Sequence, residues 1–182
     1  KSGRMPQGMK RPENTRAMGG VKYITVHHDG MNAFYDTSEG GAVKRLNTIR
    51  ESHTERKAKA GEKWADIGYH FIVDPAGRVW EGRPLQYQGA HVQDYNEHNI
   101  GVMCMGNFEQ QSPSRAQVES LDRFVLQLMK QYRITLGNVK THREWASTAC
   151  PGRNLQSHMV QTRGRGGNIA LALAGDSGLL LA

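Results

Sequence analysis

Two adjacent histidines closing one strand-like run constrain this chain more than any other feature. Val21-Lys22-Tyr23-Ile24-Thr25-Val26-His27-His28 is rich in β-branched and aromatic residues and stops at Asp29-Gly30, the pattern of a strand that runs into a turn. Side chains alternate across a strand, so His27 and His28 must face opposite sides of a sheet. His28 reads most simply as a buried, hydrogen-bonded histidine on the face away from His27.

The sheet around this strand follows from the remaining pattern. The run from Asn99 to Met105 is apolar and reads as a buried strand, in which Cys104 behaves as a small hydrophobe. Ile67 to Val73 and Arg78 to Glu81 flank Asp74-Pro75-Ala76-Gly77, so they predict a hairpin. Asn138 to Thr141 predicts a further short strand. Ala42, Val43, Leu46 and Ile49 recur at helical spacing and predict a helix over Glu39 to Lys57, capped by Ser38 or Thr37. Val118, Leu121, Phe124, Val125, Leu128 and Met129 mark a second helix that starts at Ser114, with Gln117 placed to complete a capping box. A short third helix is expected near Asn154 to Gln161. Strands interleaved with helices predict an α/β domain, with a central mixed β-sheet flanked by helices in three layers.

Length and charge bound the organisation. The 182 residues suit one domain. Residues 1–19, rich in cations, Gly and Pro, read as a basic N-terminal arm; residues 20–162 form the domain; residues 163–182 read as a Gly-rich joint and an apolar C-terminal tail. The net charge of +7 favours polyanions. Much of it sits in Lys1 to Arg16 and Arg163 to Arg165, without the interleaved aromatics of a nucleic-acid groove, so a nucleic-acid partner is not expected. No stretch approaches the roughly 20 apolar residues of a membrane span. With two cysteines the chain is no disulfide scaffold.

Cys150 has a different use. A catalytic zinc site takes three protein donors of N, S or O type and keeps one position open. His27 ends one strand and His142 follows another. Cys150 comes eight residues later in Thr148-Ala149-Cys150-Pro151-Gly152, where Pro and Gly can turn the sulfur back toward His142. The spacing admits convergence of the three without establishing it.

A set of ordered motifs adds to this reading. Val26-His27-His28, Asp66-Ile67-Gly68-Tyr69-His70-Phe71, Glu81-Gly82-Arg83, Gly89-Ala90-His91, Asn99-Ile100-Gly101-Val102, Thr141-His142-Arg143-Glu144 and Ala149-Cys150-Pro151-Gly152 occur in the order and spacing of the type 2 N-acetylmuramoyl-L-alanine amidases. The chain resembles that family, which includes phage T7-type lysozyme and the peptidoglycan recognition proteins, over about residues 21–160.

The resemblance implies hydrolysis of the amide between N-acetylmuramic acid and L-alanine in peptidoglycan by zinc-activated water. It implies Zn2+ on His27, His142 and Cys150, with Tyr69 as the active-site tyrosine and Thr148 where other members carry Lys or Thr. His91 and Asn96 match positions near the family's substrate groove, and Arg83 and Arg143 could grip substrate carboxylates or form internal ion pairs. Glu144 could orient a zinc-bound histidine. Peptidoglycan or a muropeptide would be the partner, and the site of action would be secreted, periplasmic or at the cell wall. The rival reading is a non-catalytic peptidoglycan receptor, since some recognition proteins keep the groove and lose the metal.

Overall fold

The computed structural model describes residues 2–4, 9–56, 61 and 63–179. Six strands and four helices follow one another as β1 (Ser2–Arg4), β2 (Tyr23–His28), α1 (Glu39–Thr54), β3 (Phe71–Val73), β4 (Val79–Glu81), β5 (Asn99–Cys104), α2 (Arg115–Tyr132), β6 (Val139–Thr141), α3 (Arg153–Arg163) and α4 (Asn168–Leu179). The strands form one mixed sheet in the order β1-β4-β3-β5-β2-β6. Its only antiparallel pair among the described residues is the β3–β4 hairpin; the other pairings are parallel.

The hairpin shows how side chains make a turn. Asp74 Oδ1 accepts the backbone N–H of Ala76 (2.9 Å) and Arg78 (3.0 Å), while Oδ2 accepts from Arg78 Nε (2.6 Å) and Trp80 Nε1 (2.9 Å). Trp80 is thereby a core residue with its polar atom satisfied.

Alternation along β2 and β5 sorts the layers. Ile24, Val26, Ile100, Val102 and Cys104 pack under α2, α3 and α4 with Leu121, Val125, Leu155, Met159 and Ile169. Met103 points the other way and joins Ile67, Ile72 and Trp80 beneath Ala42, Leu46 and Ile49 of α1. Two apolar cores on opposite sheet faces make the expected three layers.

Several local expectations shift. Ser38, not Thr37, caps α1, its hydroxyl accepting from Gly41 N–H at 3.0 Å. The helix ends at Thr54, and the expected end at Lys57 lies outside the described residues. Ser114 caps α2 through Gln117 N–H at 3.0 Å. The Gln117 side chain does not return to the cap: it donates to the carbonyls of Val73 and Met105, tying the helix to the sheet. The strand expected from Ile67 starts at Phe71.

Both termini are more structured than their composition implies. Ser2–Arg4 adds a parallel strand beside β4, because an open sheet edge offers main-chain partners to any sequence. Pro12–Asn14 form a single 3₁₀ turn. Beyond the Gly-rich joint, α4 buries Ile169 against the core under α2 and α3. The apolar patch at residues 180–181 lies outside the described residues.

Candidate active site

His27 and His142 come together through strand register. In the parallel β2–β6 pair, Val26 lies opposite Thr141. One further step along each strand sets His142 beside His27, and the ring centroids lie 4.7 Å apart. Both sit at the carboxyl ends of their strands, where open α/β sheets gather ligands. A 3₁₀ turn over His142–Glu144 fixes the exit from β6, with the Glu144 carboxylate accepting the Thr141 N–H at 2.6 Å. Glu144 also pairs with Arg163 at 3.1 Å. Its role is to hold the turn that aims His142, instead of the expected bond to a histidine ring.

Cys150 arrives on the following loop. Gly152 has φ +86°, and a Cβ there would meet the backbone of Phe108 at 2.4 Å, so only glycine lets the loop pass this close. Arg143 Nη2 donates to the Ala149 carbonyl at 2.9 Å and reaches Glu109 at 3.3 Å, stitching the loop in place. Cys150 Sγ then lies 3.6 Å from His27 Nδ1, and the His28 N–H points at the sulfur from 3.4 Å. The ligand atoms of His27, His142 and Cys150 all lie within 4.8 Å of one another, the one such group of potential metal donors among the described residues.

The surroundings set protonation. Burial, with His91 and His142 adding, pushes His27 well below the ordinary imidazole range, and burial lowers His142 as well. Both rings are neutral near pH 7 and have a lone pair to give. Burial raises the Cys150 thiol to about 12, so without a cation the sulfur keeps its proton and a metal must displace it.

Tyr69 stands beside these groups, its ring 5.2 Å from that of His27. Burial, and then Cys150, push its phenol pKa upward, so it remains a neutral O–H donor. Thr148 is half-buried, and its hydroxyl accepts the Cys150 N–H at 3.2 Å.

The expected substrate-binding residues fare differently. Arg83 is 5% exposed and gives its guanidinium to three carbonyls, those of Ile67, Gln88 and Asp66. These contacts make it a brace between loops. His91 is buried, with Nδ1 3.0 Å from His27 Nε2 and Nε2 3.1 Å from the Asn99 carbonyl. Both ring nitrogens are engaged inside the protein. Asn96 Oδ1 accepts the His91 and Val92 N–H groups and shapes their loop. The Arg143 side chain is 39% exposed and keeps an open face despite its internal contacts.

His28 lies on the opposite face from His27, where Nδ1 accepts the Phe108 N–H at 3.2 Å. His70 likewise serves packing, accepting from Gly101 N–H and donating to the Tyr87 carbonyl. Trp145 is half-buried between Tyr23 and Tyr95 and donates Nε1–H to Thr25 at 2.8 Å.

The sequence reading passed over His53. Its ring lies 5.4 Å from Tyr69, and Nδ1 accepts the Gly68 N–H at 3.0 Å, fixing the segment that presents Tyr69. The signal was present: Ala42, Leu46, Ile49 and His53 continue one helical stripe.

Known proteins share this fold and sequence pattern. A model of the N-acetylmuramoyl-L-alanine amidase family matches residues 16–153. A peptidoglycan-recognition protein of Drosophila simulans is 31% identical over 150 residues, covering 81% of this chain and 78% of that protein. Among solved structures, the N-acetylmuramoyl-L-alanine amidase LysC from Clostridium intestinale matches with a TM-score of 0.69 at 26% identity, over 88% of this chain and 95% of that one. The complex of the peptidoglycan recognition protein ectodomains LCa and LCx, which holds tracheal cytotoxin, matches with a TM-score of 0.75 at 25% identity, over 88% and 95%.

Proposed function

The chain belongs to the N-acetylmuramoyl-L-alanine amidase family, and on that premise we propose that it hydrolyses the amide joining N-acetylmuramic acid to L-alanine in peptidoglycan or its fragments. Residues 20–162 are the catalytic domain in this reading. The observation that carries it is the approach of His27, His142 and Cys150 donor atoms to within 4.8 Å of one another, next to a protonated phenol.

The donor set fits zinc. Two neutral imidazoles and one displaceable thiol proton suit a borderline-soft divalent ion, and three protein donors are the number a catalytic zinc site uses. A zinc ion held there would supply Lewis acidity, activating water and polarising the scissile carbonyl, worth several kcal/mol at the transition state.

The chain's own groups supply the rest. Tyr69, held as a neutral phenol by burial, donates a hydrogen bond to the oxygen that gathers negative charge as the amide carbonyl is attacked. A preorganised donor of this kind contributes about 3 kcal/mol. Thr148 accepts the Cys150 N–H and retains its own hydroxyl proton for donation to the same region. The exposed face of Arg143 suits a carboxylate of the stem peptide. The net charge of +7 would concentrate the protein on anionic wall polymer, and a peptidoglycan substrate goes with work that is secreted, periplasmic or at the cell wall.

The second reading is a peptidoglycan receptor without catalysis, favoured by the name of the fruit-fly relative, a recognition protein. One experiment separates the two. The zinc-loaded chain is incubated with a purified muropeptide, and free stem peptide is followed by mass spectrometry. Release that Cys150→Ser abolishes supports the amidase; binding with no release supports the receptor.

A further inference from the structure

The face of the sheet that carries His27 also builds a slot for His91. A Cβ on Gly101 would lie 2.7 Å from His91 Cδ2, and one on Gly89 would lie 2.3 Å from it, so the imidazole fits because both positions are glycine. Asn96 pins the backbone at His91 from the other side. The ring is held so closely that its hydrogen bonds dictate where protons sit.

His91 Nε2 faces the Asn99 carbonyl at 3.1 Å. A carbonyl only accepts, so Nε2 bears the proton, and the second nitrogen of a neutral imidazole, Nδ1, is a lone pair. That lone pair lies 3.0 Å from His27 Nε2, which must therefore donate. With its proton on Nε2, His27 keeps a bare Nδ1, the nitrogen 3.6 Å from Cys150 Sγ.

We infer that His91 is a positioning residue: the relay from the Asn99 carbonyl through His91 holds His27 in the Nε2-protonated tautomer, aiming its Nδ1 lone pair at Cys150 and the metal position. A free imidazole samples both tautomers, and one of them would put an N–H where a cation must bind. Histidine ligands in metal sites depend on such outer hydrogen bonds for ring orientation and basicity. The inference rests on the zinc reading only for its consequence; the tautomer itself is a property of the metal-free chain.

The test uses the metal-free full chain. Long-range proton–nitrogen correlation spectra of its histidines report which ring nitrogen carries hydrogen. The wild type should show His27 as the Nε2–H tautomer alone. His91→Leu should yield a mixture of tautomers and weaken zinc binding about 10- to 100-fold, measured by chelator competition. His91→Asn places Oδ1 where Nδ1 stood and should restore both. An Nδ1-protonated or mixed His27 in the wild type overturns the relay, as does unchanged zinc affinity in folded His91→Leu. Where the Leu variant does not fold, the wild-type spectrum and His91→Asn decide, and mixed tautomers with weak zinc in the Asn variant overturn the inference. A wild type that shows the Nε2–H tautomer and binds no zinc contradicts the proposed function and leaves the relay standing.

Discussion

Along the same two strands, β2 and β5, the two faces of the sheet carry different chemistry. Toward α2, α3 and α4 they present Ile24, Val26, Ile100, Val102 and Cys104, all fully buried in an apolar core. On the other face Met103 joins the apolar cluster under α1, but around the site the alternate residues are Thr25, His27, Asn99 and Gly101, polar or lacking a side chain, and yet Thr25, His27 and Asn99 are equally buried. Burial on the first face stabilises by removing hydrocarbon from water. On the second, burial is tolerated because each polar atom finds a partner: Thr25 donates to Asn99, Asn99 accepts from His91, and His91 meets His27. Two cysteines mark the contrast in miniature, Cys104 within the apolar layer and Cys150 beside the imidazoles. The difference teaches that one face of these two strands is given over to the apolar core, while the other shares its core with a polar patch that positions a site.

The largest expected effect tests that division with one chemical change made twice. Cys150→Ser should abolish stoichiometric zinc and stem-peptide release while the chain stays folded. Cys104→Ser should keep zinc at one per chain, and lower stability by about 1–3 kcal/mol because a hydroxyl enters an apolar layer. Metal analysis and urea unfolding of both variants measure the contrast; equal zinc loss in both would break it.

Next in size is Tyr69→Phe, which removes one donor and no ligand. Its kcat should fall about 10²- to 10³-fold with zinc content unchanged. Full activity would take the phenol out of the reaction.

Acid should act on the polar face first. His53 and His70 are buried, and burial lowers each to about 4. Each accepts a backbone N–H, from Gly68 and Gly101, on a nitrogen that cannot take a proton without losing that bond. The unfolded chain binds the extra protons below about pH 6.5, so stability is full above that value and falls as pH drops toward 4. The loss is on the order of a few kcal/mol in zinc-free protein, and thermal unfolding between pH 7 and 4 follows it. His53→Gln with His70→Gln should flatten the slope.

The smallest effect sits on the apolar side. Ser114→Ala removes the cap of α2 and should cost about 1 kcal/mol without altering zinc affinity. Chemical denaturation and chelator competition on the same sample check both halves of that statement.

Much of this was legible in the amino-acid sequence, for local reasons. The alternation in Tyr23 to His28 put His27 and His28 on opposite faces, and the Pro-Gly pair after Cys150 announced a loop able to turn back. Ordered motifs brought out the family. Contacts that depend on chain crossings were not legible. His91 meets His27 across 64 residues, and Arg83 finds carbonyls on three separate residues; nothing in either local pattern distinguishes such bracing from substrate contact. Gln117 fitted a capping box by spacing, but two sheet carbonyls outcompeted the helix end for its amide. The terminal strand and α4 were hidden because their partners, a sheet edge and a helix pair, exist only after folding.

X-ray absorption at the zinc edge of the loaded wild-type chain tests the central claim most directly. Two nitrogens and one sulfur from His27, His142 and Cys150 predict a shell with scattering at about 2.0–2.1 Å and a single sulfur at about 2.3 Å, the sulfur vanishing in Cys150→Ser. A wild-type spectrum without sulfur, or one unchanged in the serine variant, would contradict the account.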